Sequence, residues 1–87
     1  EVIDAMADAG VHEGLPRDLA LTIAARTAIG AARLILAGDD PATIKAMTAS
    51  PGGTTIRGLY AMESRAVRAA MMDAVIEATR RSREMNK

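Results

Sequence analysis

No cysteine occurs in these 87 residues, and Tyr60 is the sole aromatic side chain. The first absence removes disulfides, thiolate metal ligands and cysteine nucleophiles together, and a reducing, cytoplasmic setting is expected. The second removes the stacking platform on which single-stranded nucleic acid lies. An excess of one charge is lacking as well, since 11 basic side chains balance 11 acidic ones. A surface for nucleic acid or an anionic membrane needs a basic excess, so neither partner is expected. His12 is the single histidine and has no second ligand near it in sequence, which makes it a solvated side chain rather than a metal site. Asp39 and Asp40 precede Pro41 and read as helix-capping residues. No metal is expected.

The remaining composition, 49% hydrophobic, is ample for a core and argues against disorder. A chain of this size makes one domain, residues 1–87, of marginal stability unless something supplements its core. The sequence starts at Glu1, already in a helical pattern and without a secretory leader pattern. We therefore expect it to be part of a longer polypeptide.

Val2, Ile3, Met6 and Ala9 recur at helical spacing and predict a helix over residues 1–9, with Gly10 as its stop. Residues 10–15 read as a connection, and Pro16 as the first residue of the next helix. That helix, residues 17–37, is apolar around most of its circumference. At about 100° per residue, Asp18, Thr22, Arg26 and Arg33 fall within a stripe of about 80°, and leucine, isoleucine and alanine cover the rest. About 20 residues would cross a bilayer, but two arginines and an aspartate are expensive there. A helix enclosed by other helices is the better reading. Its alanines and Gly30 let neighbours approach closely, yet so short a chain supplies few neighbours, and we expect a dimer that buries it between subunits.

Gly38 and Asp40-Pro41 stop and restart the chain, giving a short helix over 41–48. The stretch Ser50-Pro51-Gly52-Gly53-Thr54-Thr55 follows. Ser50 suits an N-cap and Pro51 a first helical position, with the helix continuing to about Glu63. Ser64 can cap a last helix, residues 65–84, whose apolar stripe includes Val67, Met71, Ala74, Val75 and Ala78. No strand pattern and no internal repeat is present. The methionines, at helical spacing, fill gaps in a core without aromatics, and Tyr60 is expected to pack.

The Ser50–Thr55 stretch carries the chemistry. The first N–H groups of a helix lack internal acceptors and point outward at the positive end of its dipole. Two glycines remove the Cβ atoms that would hold a ligand off, and two threonine hydroxyls stand beside them. This composition suits a carboxylate or a phosphate; it also makes an ordinary turn between helices. It lacks the lysine of a Walker A loop and the preceding strand of a dinucleotide fingerprint.

The segment TASPGGTTIRGL, with AMADAGV upstream, the Thr27–Ala32 stretch and DDPA in order between, and AVIEATRRSRE downstream, resembles the C-terminal domain of pyrroline-5-carboxylate reductases. The likeness runs from about Ile3 to Glu84. It implies an all-α helical bundle, like the C-terminal domain of 6-phosphogluconate dehydrogenase, intertwined with a second subunit as a homodimer or an oligomer of dimers. It implies reduction of 1-pyrroline-5-carboxylate to L-proline, the last step of proline biosynthesis, with NADPH or NADH held by an N-terminal dinucleotide-binding domain absent from these 87 residues. By this resemblance Ser50, Gly52, Gly53 and Thr54 hold the substrate carboxylate, through the Ser50 hydroxyl and the N–H groups of Gly53 and Thr54. Thr55 joins them and is the catalytic residue, its hydroxyl reaching the ring nitrogen. No residue here would bind the cofactor, and the chain alone should be inactive. Where the family usually has glycines and an aromatic, this chain reads Glu63-Ser64-Arg65-Ala66-Val67, which leaves open whether the last two helices are separate. Arg26 stands where the family often has glutamine and can pair with an acid at an interface. The competing reading is a stand-alone, non-catalytic helical dimer module that binds a small carboxylate.

Overall fold

Four short breaks, at residues 13–16, 37–40, 49–53 and 65–66, divide the chain into helices in the computed structural model, which describes residues 1–86. The helices are α1 (Val2–His12), α2 (Arg17–Leu36), α3 (Pro41–Thr48), α4 (Thr54–Ser64) and α5 (Val67–Met85). No strand occurs among the described residues, and the all-α expectation holds.

Gly10 does not stop α1; it lies inside the helix. A Cβ at Gly10 would sit 3.0 Å from Ala20 Cβ, so this glycine lets α1 and α2 approach closely. The stop is Gly14, at φ +104°. The Leu15 N–H donates to the Gly10 carbonyl and the Gly14 N–H to the Val11 carbonyl, both at 3.0 Å. This is a Schellman closure, which needs a left-handed residue just past the helix. The end of α2 repeats it: Gly38 lies at φ +107°, with Asp39 N–H donating to Leu34 and Gly38 N–H to Ile35. Pro16 stands one position earlier than expected, as the N-cap of α2 with an extended ψ of 145°. Its carbonyl accepts the first helical bond, from Ala20 N–H.

The chain forms two units, Glu1–Ile44 and Lys45–Lys87. In the first, α1 packs on α2 through Ala7, Ala20 and Ala24, with Val11 against them. An Arg17–Asp8 ion pair at 2.5 Å links the two helices. Both side chains are more than half exposed, so this pair contributes at most about 1 kcal/mol. Those three alanines are the whole buried core among the described residues. Leu19, Leu21, Ile23, Ile29, Leu34 and Ile35 are each 45–49% exposed. In the second unit no helix has a buried residue; α4 packs lightly on α5, and Met71, Met72, Val75 and Ile76 stand half exposed or more. Each such side chain gains about 1.5–3 kcal/mol on full burial, and most of that gain is unused in the single chain. By length and composition alone, α2 could also cross a membrane: it has 20 residues and a mean hydropathy of 1.6.

The last break falls at Ala66, and the last two helices are separate. Ser64 is the final residue of α4 rather than a cap for α5, and its hydroxyl donates to the Tyr60 carbonyl at 2.8 Å. The N-cap of α5 is Ala66, at φ 55° and ψ 41°, so α5 starts at Val67 rather than Arg65. Ala66 is the sole non-glycine at positive φ among the described residues. It occupies the position that Gly14 and Gly38 fill at the ends of α1 and α2. Its Cβ costs about 1–2 kcal/mol in that conformation. A glycine there relieves the clash but adds about 0.4–1 kcal/mol of unfolded-state freedom. Ala66→Gly is therefore expected to raise stability by up to about 1 kcal/mol in denaturant unfolding; a loss would mean that the junction carries no strain.

Candidate functional site

Pro-Gly favours a turn of its own over a helical start, and the Ser50–Thr55 segment follows that preference. Gly52 has φ +68°, and the Gly53 N–H donates to the Ser50 carbonyl at 3.1 Å. Proline at the second position and a left-handed glycine at the third are the signature of a type II turn. This moves the start of α4. The N-cap is Gly53, not Ser50, and the first helical residue is Thr54, not Pro51, because a residue at φ +68° cannot sit inside a right-handed helix.

The shift changes which donors are open. The Gly53 N–H is spent in the turn, so it is not a free donor as expected. The first helical bond of α4 runs from Arg57 N–H to the Gly53 carbonyl at 3.4 Å. The N–H groups of Thr54, Thr55 and Ile56 thus precede any intrahelical acceptor. Ile56 is the donor that the sequence reading missed, and the Pro-Gly pair was the signal for it. No acidic residue lies in the first turn of α4, and no side chain caps it. The positive end of this helix is uncompensated by its own residues. Arg57, the fourth residue of α4, adds charge of the same sign and makes no ion pair among the described residues.

Ser50 folds over this end. A Cβ on Gly53 would collide with Ser50 Oγ, which shows the hydroxyl resting against the Gly53 backbone. The Thr54 and Thr55 hydroxyls have no hydrogen bond within the described chain. Thr27 and Thr79, by contrast, each donate to the carbonyl four residues back, at 2.8 Å. At the first two positions of a helix no such carbonyl lies behind, so these hydroxyls stay available. One turn on, Tyr60 is 75% exposed. It lines a groove with Ala46, Ala49, Ile56 and Leu59, rimmed by Lys45, Glu63 and Arg68, instead of packing in a core as expected. The loop therefore offers three open amides and three hydroxyls, the kind of donor set that suits a small anion, and Ile56 belongs both to it and to the groove.

Residues 1–85 match the sequence profile of the family described as "Pyrroline-5-carboxylate reductase dimerisation". The chain belongs to this family. Among its relatives, the pyrroline-5-carboxylate reductase of Thermus thermophilus is 56% identical over 84 residues, covering 97% of this chain and 32% of the relative. That of Methanosarcina acetivorans is 51% identical over 87 residues, covering 99% and 32%. The crystal structure of Plasmodium falciparum pyrroline carboxylate reductase with NADP bound superposes with a TM-score of 0.90 at 34% identity, covering 98% of this chain and 35% of that one. The chain thus spans about a third of the length of the relatives it matches. A place in a dimerisation family fits the fold found here, in which neither unit buries a large apolar side chain.

Proposed function

We propose that residues 1–87 are the C-terminal dimerisation and substrate-binding domain of a pyrroline-5-carboxylate reductase, which converts 1-pyrroline-5-carboxylate to L-proline with NADPH or NADH. The observation that carries the site is the start of α4: open amides at Thr54, Thr55 and Ile56, no acid in the turn, and unengaged threonine hydroxyls, in a chain whose relatives are named as reductases of a carboxylate. The alternative, a stand-alone carboxylate-binding module, explains the loop but gains nothing from those names.

In this reading the substrate carboxylate lies at the start of α4. It accepts from the Thr54 and Ile56 N–H groups and from the Ser50 hydroxyl, charge-assisted bonds about twice as strong as neutral ones. Gly52 forms the turn, and Gly53 leaves room for Ser50 Oγ against the backbone. Thr55 presents its hydroxyl to the ring nitrogen, where it helps supply or relay the proton that the nitrogen gains on reduction. Positioning of the imine is the protein's main contribution. The residues present do not fit a dinucleotide, because no strand leads into a glycine-rich turn among them. We assign the cofactor to an N-terminal domain of the complete polypeptide and derive no step through it here.

The partner is a second copy of the same chain, in an intertwined homodimer. The half-exposed side chains of α2 and α5 support this, since apolar surface on both units awaits cover. The test is direct. The purified complete protein should oxidise NADPH or NADH when pyrroline-5-carboxylate is added and yield proline. A folded dimer that binds small carboxylates but oxidises neither cofactor would transfer the reading to the non-catalytic module.

A further inference from the structure

The chain exposes 7373 Å² of surface. Two separate compact bodies, each of half its 9.1 kDa mass, would together expose about 5,900 Å². Contact between the units could only lower the observed value. Taken singly, Glu1–Ile44 and Lys45–Lys87 therefore exceed that figure between them by about 1,500 Å² or more. Large apolar side chains stand in this surface on both units: Leu36 is 86% exposed, Met47 81% and Val75 66%.

Each unit also lies close to the size, about 40 residues, below which a chain needs a disulfide, a metal or an oligomer to stay folded. The chain has no cysteine, and no group of three metal-ligating side chains converges among the described residues. Of these three devices, association remains. Within the first unit α2 shows why packing on α1 does not suffice. Ala20 and Ala24 meet α1, whereas Ile29 falls about 160° around the helix from them and is 49% exposed. With 11 residues against the 20 of α2, α1 covers one side of a helix that is apolar nearly all round and must be enclosed.

The occupant that fits is a second copy, because the chain belongs to a dimerisation family and both units carry uncovered apolar surface. An interface that removes about 1,500 Å² from each copy buries about 3,000 Å² in all, a size at which homodimers are obligate. We infer that residues 1–87 have no folded state as a single chain, so that folding of both units and pairing of the two copies are one transition. This rests on the dimer proposed above and adds that its subunits do not fold before they pair.

Urea unfolding of the complete native protein, at subunit concentrations a hundred-fold apart, tests this. Pulsed hydrogen exchange read on peptides from residues 1–87 follows these helices separately from the rest of the polypeptide, and sedimentation velocity in the same solutions follows the dimer. Amide protection in α1, α2, α4 and α5 should disappear together with the dimer. Hundred-fold dilution removes about 2.7 kcal/mol from the paired state, so the midpoint should fall by about 1 M urea. A midpoint that ignores concentration, or a monomer at intermediate urea whose helices stay protected, would overturn the inference and leave the dimer standing. The second of these results is also the one expected if an N-terminal domain of the same polypeptide covers the apolar surface. A native protein that sediments as a monomer without urea would remove the dimer reading itself, and this inference with it.

Discussion

Thr55→Ala in the complete protein is expected to lower kcat for pyrroline-5-carboxylate about a hundred-fold, with KM changed only a few-fold. The split follows from where the hydroxyl stands. In the proposed binding mode the carboxylate rests on backbone amides of α4, which the substitution leaves in place. The lost group is a side-chain donor at the second helical position, with no hydrogen bond to the chain to spare. A donor that assists proton delivery contributes about 10²–10⁴ to the rate, whereas one more contact to the bound carboxylate would appear in KM. Thr55→Ser keeps the hydroxyl and should retain most of the rate. Steady-state kinetics on both variants decide it: an unchanged kcat in Thr55→Ala would take this residue out of the mechanism.

Ile29→Arg should abolish a stable dimer. In the single chain Ile29 is 49% exposed, and arginine is a good helix former, so the isolated helix would accept the change at almost no cost. The second copy makes the difference. If it covers this face, the new guanidinium is buried between Arg26 and Arg33, three and four residues away on the same side. It then has two like charges for company and no acid of its own. A buried charge without a partner costs about 3–5 kcal/mol. Light scattering should show monomer or aggregate in place of dimer. A dimer of native stability would mean that this face of α2 stays in water.

Much of the fold was legible because apolar spacing and proline placement fix helix interiors. Residues 17–37 and 41–48 emerge within a residue of their observed bounds. The misreadings cluster at helix ends, and each has a tertiary or conformational cause. Gly10 and Gly14 are equivalent as stop signals in the sequence. What separates them is Ala20 on the neighbouring helix, whose Cβ would lie only 3.0 Å from a Cβ at Gly10, so Gly10 serves tight packing inside α1. At Ser50-Pro51 the capping rule and the turn rule compete, and the left-handed Gly52 lets the turn win. Ala66 could not be foreseen, since alanine is the best helix former and here adopts the conformation that costs it most. At the candidate site the residue types were readable from the start. The donor set was not, because it depends on which N–H the turn consumes. The narrow polar stripe of α2 was likewise visible in the sequence.

The central claim is that this chain completes its core with a second copy of itself. Sedimentation equilibrium of the complete native protein, run from nanomolar to micromolar and paired with activity at each concentration, tests it most directly. The account predicts an even multiple of the subunit mass, with activity lost where dilution splits the dimer. A folded, fully active monomer at any of those concentrations would contradict it.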